Sequence, residues 1–202
     1  MTNCYICEQV LTNDNSSEEH IIPNAIGGKL KAKILCKKCN SVLGDTIDAE
    51  LAKNLLPFSN WLDVDRTRGK TPALECKVDN IPVKRKASTG EIQGKNIEKI
   101  NENNMKFSFI GYSEEEVIKQ TSEIIKTKAK RLNLSENEIN KLLSDNENLV
   151  KENTEIIKPL INYELCLGDK NVLLSCLKTA INFYLYKGYN IEYIKNSINI
   201  LK

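Results

Sequence analysis

Apolar positions along the first third of the chain set out a compact pattern. Between residues 37 and 55, Val42, Ile47, Leu51 and Leu55 recur at roughly helical spacing, which predicts a helix that stops at Pro57. Ahead of it, residues 19–23 read as a short strand or strand end. Gly27-Gly28 reads as a tight turn that permits positive φ, and residues 32–35 as the returning strand. Two cysteine pairs, at 4 and 7 and at 36 and 39, frame this hairpin. The predicted order is knuckle, hairpin, knuckle, helix.

The pattern then changes. Residues 71–78 and 82–86 read as strands around a turn at Asp79-Asn80, residues 88–104 as a polar loop, and residues 105–112 as a third strand. Ser113 caps a helix rich in acids in its first turn and running to about Arg131. Ser135, with Glu138 three residues on, opens a second helix through a capping box. Residues 156–167 read as a strand interrupted by Pro159, and residues 171–187 as a strongly apolar helix closed by Gly188. A last amphipathic helix follows. The fold class expected is α+β. A zinc finger over residues 1–57 would precede a mixed strand-and-helix accessory domain over residues 58–202.

Composition narrows the classes. An apolar fraction of 41% over 202 residues is enough for a core and argues against wholesale disorder. No run of roughly 18 apolar residues occurs, so no membrane span is expected. The N-terminus lacks a basic-then-apolar leader, so a cytoplasmic location is expected. Net charge is +2, which alone says nothing about a nucleic-acid partner. Basic residues cluster at Lys29–Lys38, Arg66–Lys70, Lys84–Lys86 and Lys126–Arg131. Each cluster taken singly reads as a solvated face, and the last is explained by a helix C-terminus. Arginine stands only at 66, 68, 85 and 131, so phosphate contacts would be mainly lysine point charges.

Seven cysteines make an odd number, which argues against a disulfide framework. Cys4-Tyr-Ile-Cys7 and Cys36-Lys-Lys-Cys39 share one gap. Two residues between cysteines turn both sulfurs toward one ion, and two such knuckles complete a closed tetrahedral sulfur site suited to structural zinc. A rubredoxin-like iron site has the same ligand set and stays open on spacing alone; such a protein would be coloured. The other three cysteines, at 76, 166 and 176, read as buried small apolar residues. Trp61 and the tyrosines at 184, 186, 189 and 193 read mostly as core.

Inside the insert stands His20, the only histidine of the chain. A lone histidine is usually structural. Here Glu19-His20-Ile-Ile-Pro23, then Gly27-Gly28, then Leu35-Cys36-x-x-Cys39-Asn40, with Leu43-Gly44 and Ile47-Asp48 beyond, resembles the HNH endonuclease family. It looks like the branch in which two cysteine knuckles bracket the hairpin and an asparagine follows the last cysteine. The resemblance covers residues 4 to about 51 and implies a treble-clef, ββα-metal finger. It implies phosphodiester hydrolysis in nucleic acid, with DNA favoured over RNA. His20 would be the general base, and Glu19 and Asn40 the ligands of a catalytic Mg²⁺ or Mn²⁺. Zinc would sit on Cys4, Cys7, Cys36 and Cys39. Imidazole suits the base because it titrates near neutrality, at about 6.5. The oxygens of Glu19 and Asn40 suit a hard ion. Strand alternation points Glu19 and His20 to opposite sides, so a twist or strand end is needed for both to serve one site.

The chain departs from better-known members. The first ligand is more often Asp and the last more often His. The loop-fixing Asn expected about five residues before the second knuckle is Lys31, while Asn24 lies nearby out of register. Asp45 and Asp48 offer compensating oxygens, although Asp48 reads first as a solvated or capping carboxylate. The rival reading is a non-catalytic zinc module that binds nucleic acid or a protein partner. A double-strand cut would be simpler with a homodimer.

Overall fold

A computed structural model describes residues 3–78, 81–99, 105–157 and 163–202 of the chain. Cys4 to Val10 form the first knuckle. Cys4 N–H donates to Gln9 O at 2.9 Å, Glu8 N–H donates to Cys4 O at 2.8 Å, and Glu8 takes a positive φ of 62° to close the turn. Strand β1 (Ser16–His20) pairs antiparallel with β2 (Lys31–Cys36). Ser17 faces Leu35 but Glu19 faces Ala32, so the register slips between them. Such an irregularity bends a strand and increases its twist. Consistent with that, Glu19 and His20 are both buried although they are neighbours. The first strand thus lies earlier than residues 19–23, because Ile21 to Pro23 are already turning into the loop.

That loop contains a 3-10 turn over Asn24–Ile26, closed by Gly27 at φ 94°. The expected positive φ therefore falls on Gly27. Gly28 is required for a different reason: a Cβ there would lie 1.7 Å from Ile22 O.

Beyond the second knuckle the chain is helical through α1 (Lys37–Leu43), a π turn (Gly44–Asp48) and α2 (Ala49–Asn54). Pro57 does not end helical structure as expected. It sits in the first turn of α3 (Leu56–Trp61), where a missing N–H costs nothing.

The chain then builds a four-stranded antiparallel sheet in the order β3 (Leu74–Val78), β4 (Ile81–Arg85), β5 (Ile92–Lys99), β6 (Met105–Ile110). The expected turn at Asp79-Asn80 lies outside the described residues. Strand β5 occupies much of the stretch read as loop. Its polar composition hides it, and Gly94 is needed because a Cβ there would meet Val83 and Pro82 at 2.5 and 2.6 Å. Helix α4 (Glu114–Arg131) begins at the Ser113 cap, and α5 (Glu136–Asn153) begins at the Ser135–Glu138 capping box. Asn146 Nδ2 donates to the buried Thr121 Oγ1 at 2.9 Å and ties the two helices. The strand expected over 156–167 is absent from its described residues, and Pro159 lies outside them.

Helix α6 (Lys170–Tyr186) starts at Asp169, whose carboxylate accepts from Asn171 N–H at 2.8 Å. A 3-10 turn (Ile191–Ile194) leads into α7 (Lys195–Leu201). Cys166 and Cys176 are exposed rather than buried, and Cys76 is half-buried. Trp61, Tyr186, Tyr189 and Tyr193 are exposed rather than core.

The chain divides into two units, Met1–Pro72 with Tyr163–Lys202, and Ala73–Asn162. The finger expected over 1–57 lies within the first. The region expected as one accessory domain, 58–202, is shared between them. The core of the first unit makes the reason plain: Cys4, Tyr5, Ile21, Leu35, Cys36, Leu43 and Ile47 of the finger pack with Ile181 of α6 and Ile198 of α7. A finger this small buries too little apolar surface alone, and the C-terminal helices supply the missing wall. Among the described residues no helix is long and apolar enough to cross a membrane.

Candidate functional site

The four knuckle sulfurs come together. Cys4, Cys7, Cys36 and Cys39 present their Sγ atoms within 4.8 Å of one another, with Cys7 and Cys36 at 3.7 Å. Four thiolates around one zinc at about 2.3 Å would stand roughly 3.8 Å apart, so the cage fits such an ion. Burial pushes the Cys4 thiol up, but N–H groups of Cys7, Cys36 and Ile6 more than offset this and bring it down to about 7. Burial and the neighbouring thiols push Cys39 up. Thiols crowded in this way are what a bound cation resolves.

A cleft of about 570 Å³ opens beside β1 and α1, and His20, Glu19, Asn40, Asp45 and Asp48 all line it. Strand β1 carries Glu19 and His20 as its last two residues, and α1 carries Asn40 one residue after the second knuckle. The cage therefore fixes Asn40 directly. Its Nδ2 donates to Ser17 Oγ at 2.6 Å, which leaves Oδ1 as the amide's acceptor.

Glu19 turns toward α6. Its carboxylate meets the ammonium of Lys178, and Asn182 Nδ2 donates to Oε1 at 3.2 Å. Lys178, 1% exposed, also meets Asp48, whose other oxygen accepts from Ser175 Oγ at 2.6 Å. Asp48 stands before α2 but makes no capping hydrogen bond, and its carboxylate is held by Lys178 and Ser175 instead. Tyr5 completes the network by donating to Asn182 Oδ1 at 2.7 Å. Burial, then the Glu19 and Asp48 charges, push its phenol up and keep it the donor. Burial likewise pushes the Glu19 carboxyl up and Asp48 adds to this, while Lys178 and Asn182 pull it down. Lys178 thus bridges two carboxylates, and Glu19, Asp48 and Asn40 all line the cleft; carboxylate and amide oxygens are the donor type a hard divalent ion takes.

His20 turns the other way, as alternation along β1 requires. Its Nε2 lies 3.1 Å from Thr67 Oγ1 in the segment that follows α3. Burial lowers the imidazole below its usual range, and the charges of Lys31 and Arg68 lower it further, against Glu18. Lys31 is paired with Glu18 at 3.5 Å on the rim. Loop fixing falls instead to Asn24, which holds the backbone around Thr67 and Arg68.

Sequence reasoning missed Ser175, Lys178 and Asn182. A signal was present, since these polar residues recur at helical spacing on an otherwise apolar helix and must share one face. For Thr67 no sequence signal existed.

Residues 4–56 match a family model described as HNH endonuclease. No curated protein and no solved structure matches the chain.

Proposed function

We propose that this protein is a metal-dependent HNH endonuclease that hydrolyses phosphodiester bonds in nucleic acid, DNA rather than RNA, with His20 as general base. The observation that carries this reading is the single cleft lined by His20, Glu19 and Asn40, all three within the stretch that matches the HNH family model.

Hydrolysis needs a base for water, positive charge for the phosphorane and help for the leaving oxygen. His20 supplies the base: burial and nearby cations favour its neutral form, which can take a proton from water. Arg68 and Lys31 line the same cleft and supply cations for the substrate phosphate. Glu19 and Asn40 would hold a Mg²⁺ or Mn²⁺ ion, with Asp48 beside them through Lys178. When bound, such an ion neutralises charge on the phosphate and the departing oxygen. Zinc on Cys4, Cys7, Cys36 and Cys39 has a structural part, since the sulfur cage has no open position for substrate. It fixes α1, and so Asn40, against the hairpin.

One observation favours a second reading, a zinc module that binds nucleic acid or a protein without cutting. Glu19 is already engaged by Lys178 and Asn182. Incubation of the purified chain with supercoiled plasmid and with RNA, each with Mg²⁺, Mn²⁺ or chelator, separates the two. The nuclease reading expects cutting of the plasmid only with a divalent ion. Binding of nucleic acid without strand scission under every condition supports the second reading and overturns the first.

A further inference from the structure

Thr67 lies beyond the stretch that matches the HNH family, yet its hydroxyl is 3.1 Å from the ring of His20. That hydroxyl is also 2.6 Å from Asn24 Oδ1. The same Oδ1 accepts from Thr67 N–H at 2.8 Å, and Asn24 Nδ2 donates to Arg68 O at 3.2 Å. These two backbone contacts fix the way round of the amide. If it were flipped, its NH₂ would face the Thr67 N–H and its oxygen would face the Arg68 carbonyl.

The protons in this chain of contacts can be arranged in one way. Asn24 Oδ1 has no proton to give, so the proton in the 2.6 Å contact belongs to Thr67. A hydroxyl has one proton, so Thr67 Oγ1 can only accept from His20. The ring nitrogen facing it, Nε2, must carry hydrogen. In a neutral imidazole the other nitrogen, Nδ1, then holds the lone pair.

We propose that Thr67 and Asn24 are positioning residues that hold the neutral ring of His20 as its Nε2–H tautomer and leave Nδ1 as the basic nitrogen. The relay runs from His20 Nε2–H to Thr67 Oγ1–H to Asn24 Oδ1. Asn24 also grips the backbone of Arg68, whose side chain lines the cleft with His20. One amide thus orients the base and anchors a phosphate-binding cation. The catalytic meaning of the relay rests on the nuclease reading above; the hydrogen bonds do not.

His20 is the only histidine of the chain, so ¹⁵N-labelled protein gives one imidazole spectrum with no assignment problem. At a pH where the ring is neutral, the expected spectrum has hydrogen on Nε2, with that proton slow enough in exchange to be seen. Thr67→Ser, which keeps the hydroxyl, retains the signal. Thr67→Val, which keeps the shape, loses it. In plasmid cutting, Thr67→Val lowers kcat by about tenfold with KM little changed, as loss of orientation alone should, and Thr67→Ser restores it. Hydrogen on Nδ1 in the unmodified chain, or an unchanged Nε2–H signal in Thr67→Val, overturns the relay. An altered spectrum with unchanged kcat overturns the positioning role. The expected spectra in a chain that cuts nothing support the relay and count against the nuclease reading instead.

Discussion

In the unit formed by Met1–Pro72 and Tyr163–Lys202, Lys178 meets Glu19 and Asp48 with its side chain 2% exposed. In the unit Ala73–Asn162, the pairs Lys84–Glu75 and Lys151–Glu147 keep half or more of their side chains in solvent. Burying charge is expensive unless partners are aligned, and replacing such a cluster with apolar residues often stabilises a protein. The first unit therefore carries polar groups that its own stability does not demand, and they gather at one cleft. Among the described residues, the second buries no charged side chain and caps its helices at Ser113 and Ser135. Function leaves this kind of mark on a fold.

The largest expected effect is on the sulfur cage. Cys36→Ser should abolish stoichiometric zinc binding, read by metal analysis of the purified protein, and should melt the finger, because zinc binding to such a site is folding free energy of about 10 kcal/mol or more. Next comes Lys178→Met. It leaves Glu19 and Asp48 without their cation and should cost about 3–5 kcal/mol in urea unfolding. Lys151→Met, in the other unit, should leave the unfolding midpoint unchanged within error. Equal effects of the two lysine changes would break the contrast between buried and exposed charge.

Gly28→Ala should cost about 3 kcal/mol, since its methyl would meet Ile22 O at 1.7 Å and the hairpin loop must shift. Ser135→Ala, at the capping box of α5, should cost about 1 kcal/mol. The helical signal of α5 in circular dichroism should persist, because one cap does not decide an 18-residue helix.

What the sequence made legible follows from the range of the interactions. The knuckles, the glycine turn, the Ser113 cap, the capping box at Ser135 and the apolar helix α6 each rest on neighbours in the chain, and local rules read them. Strand β5 was hidden because its positions are polar and only pairing with β4 and β6 defines it. Pro57 misled because proline is tolerated in a first helical turn and not further in. The motif points to Cys4, Cys7, Cys36 and Cys39, whose sulfurs the fold gathers, and to Glu19, His20 and Asn40, which line one cleft. The engagement of Glu19 by Lys178 and Asn182, and of His20 by Thr67, is not legible, since those partners come from far along the chain and no local pattern reports a contact between residues 19 and 178. Asp48 was misread for the same cause: its partners Ser175 and Lys178 lie on α6.

The decisive measurement is plasmid cutting by His20→Ala. The variant keeps the sulfur cage intact, so zinc content and the thermal midpoint serve as controls that the finger is still folded. If His20 is the general base, Mg²⁺- or Mn²⁺-dependent plasmid cutting falls by about 100-fold or more while both controls hold. Cutting by the folded, zinc-loaded variant at the rate of the unmodified chain would rule His20 out as the base.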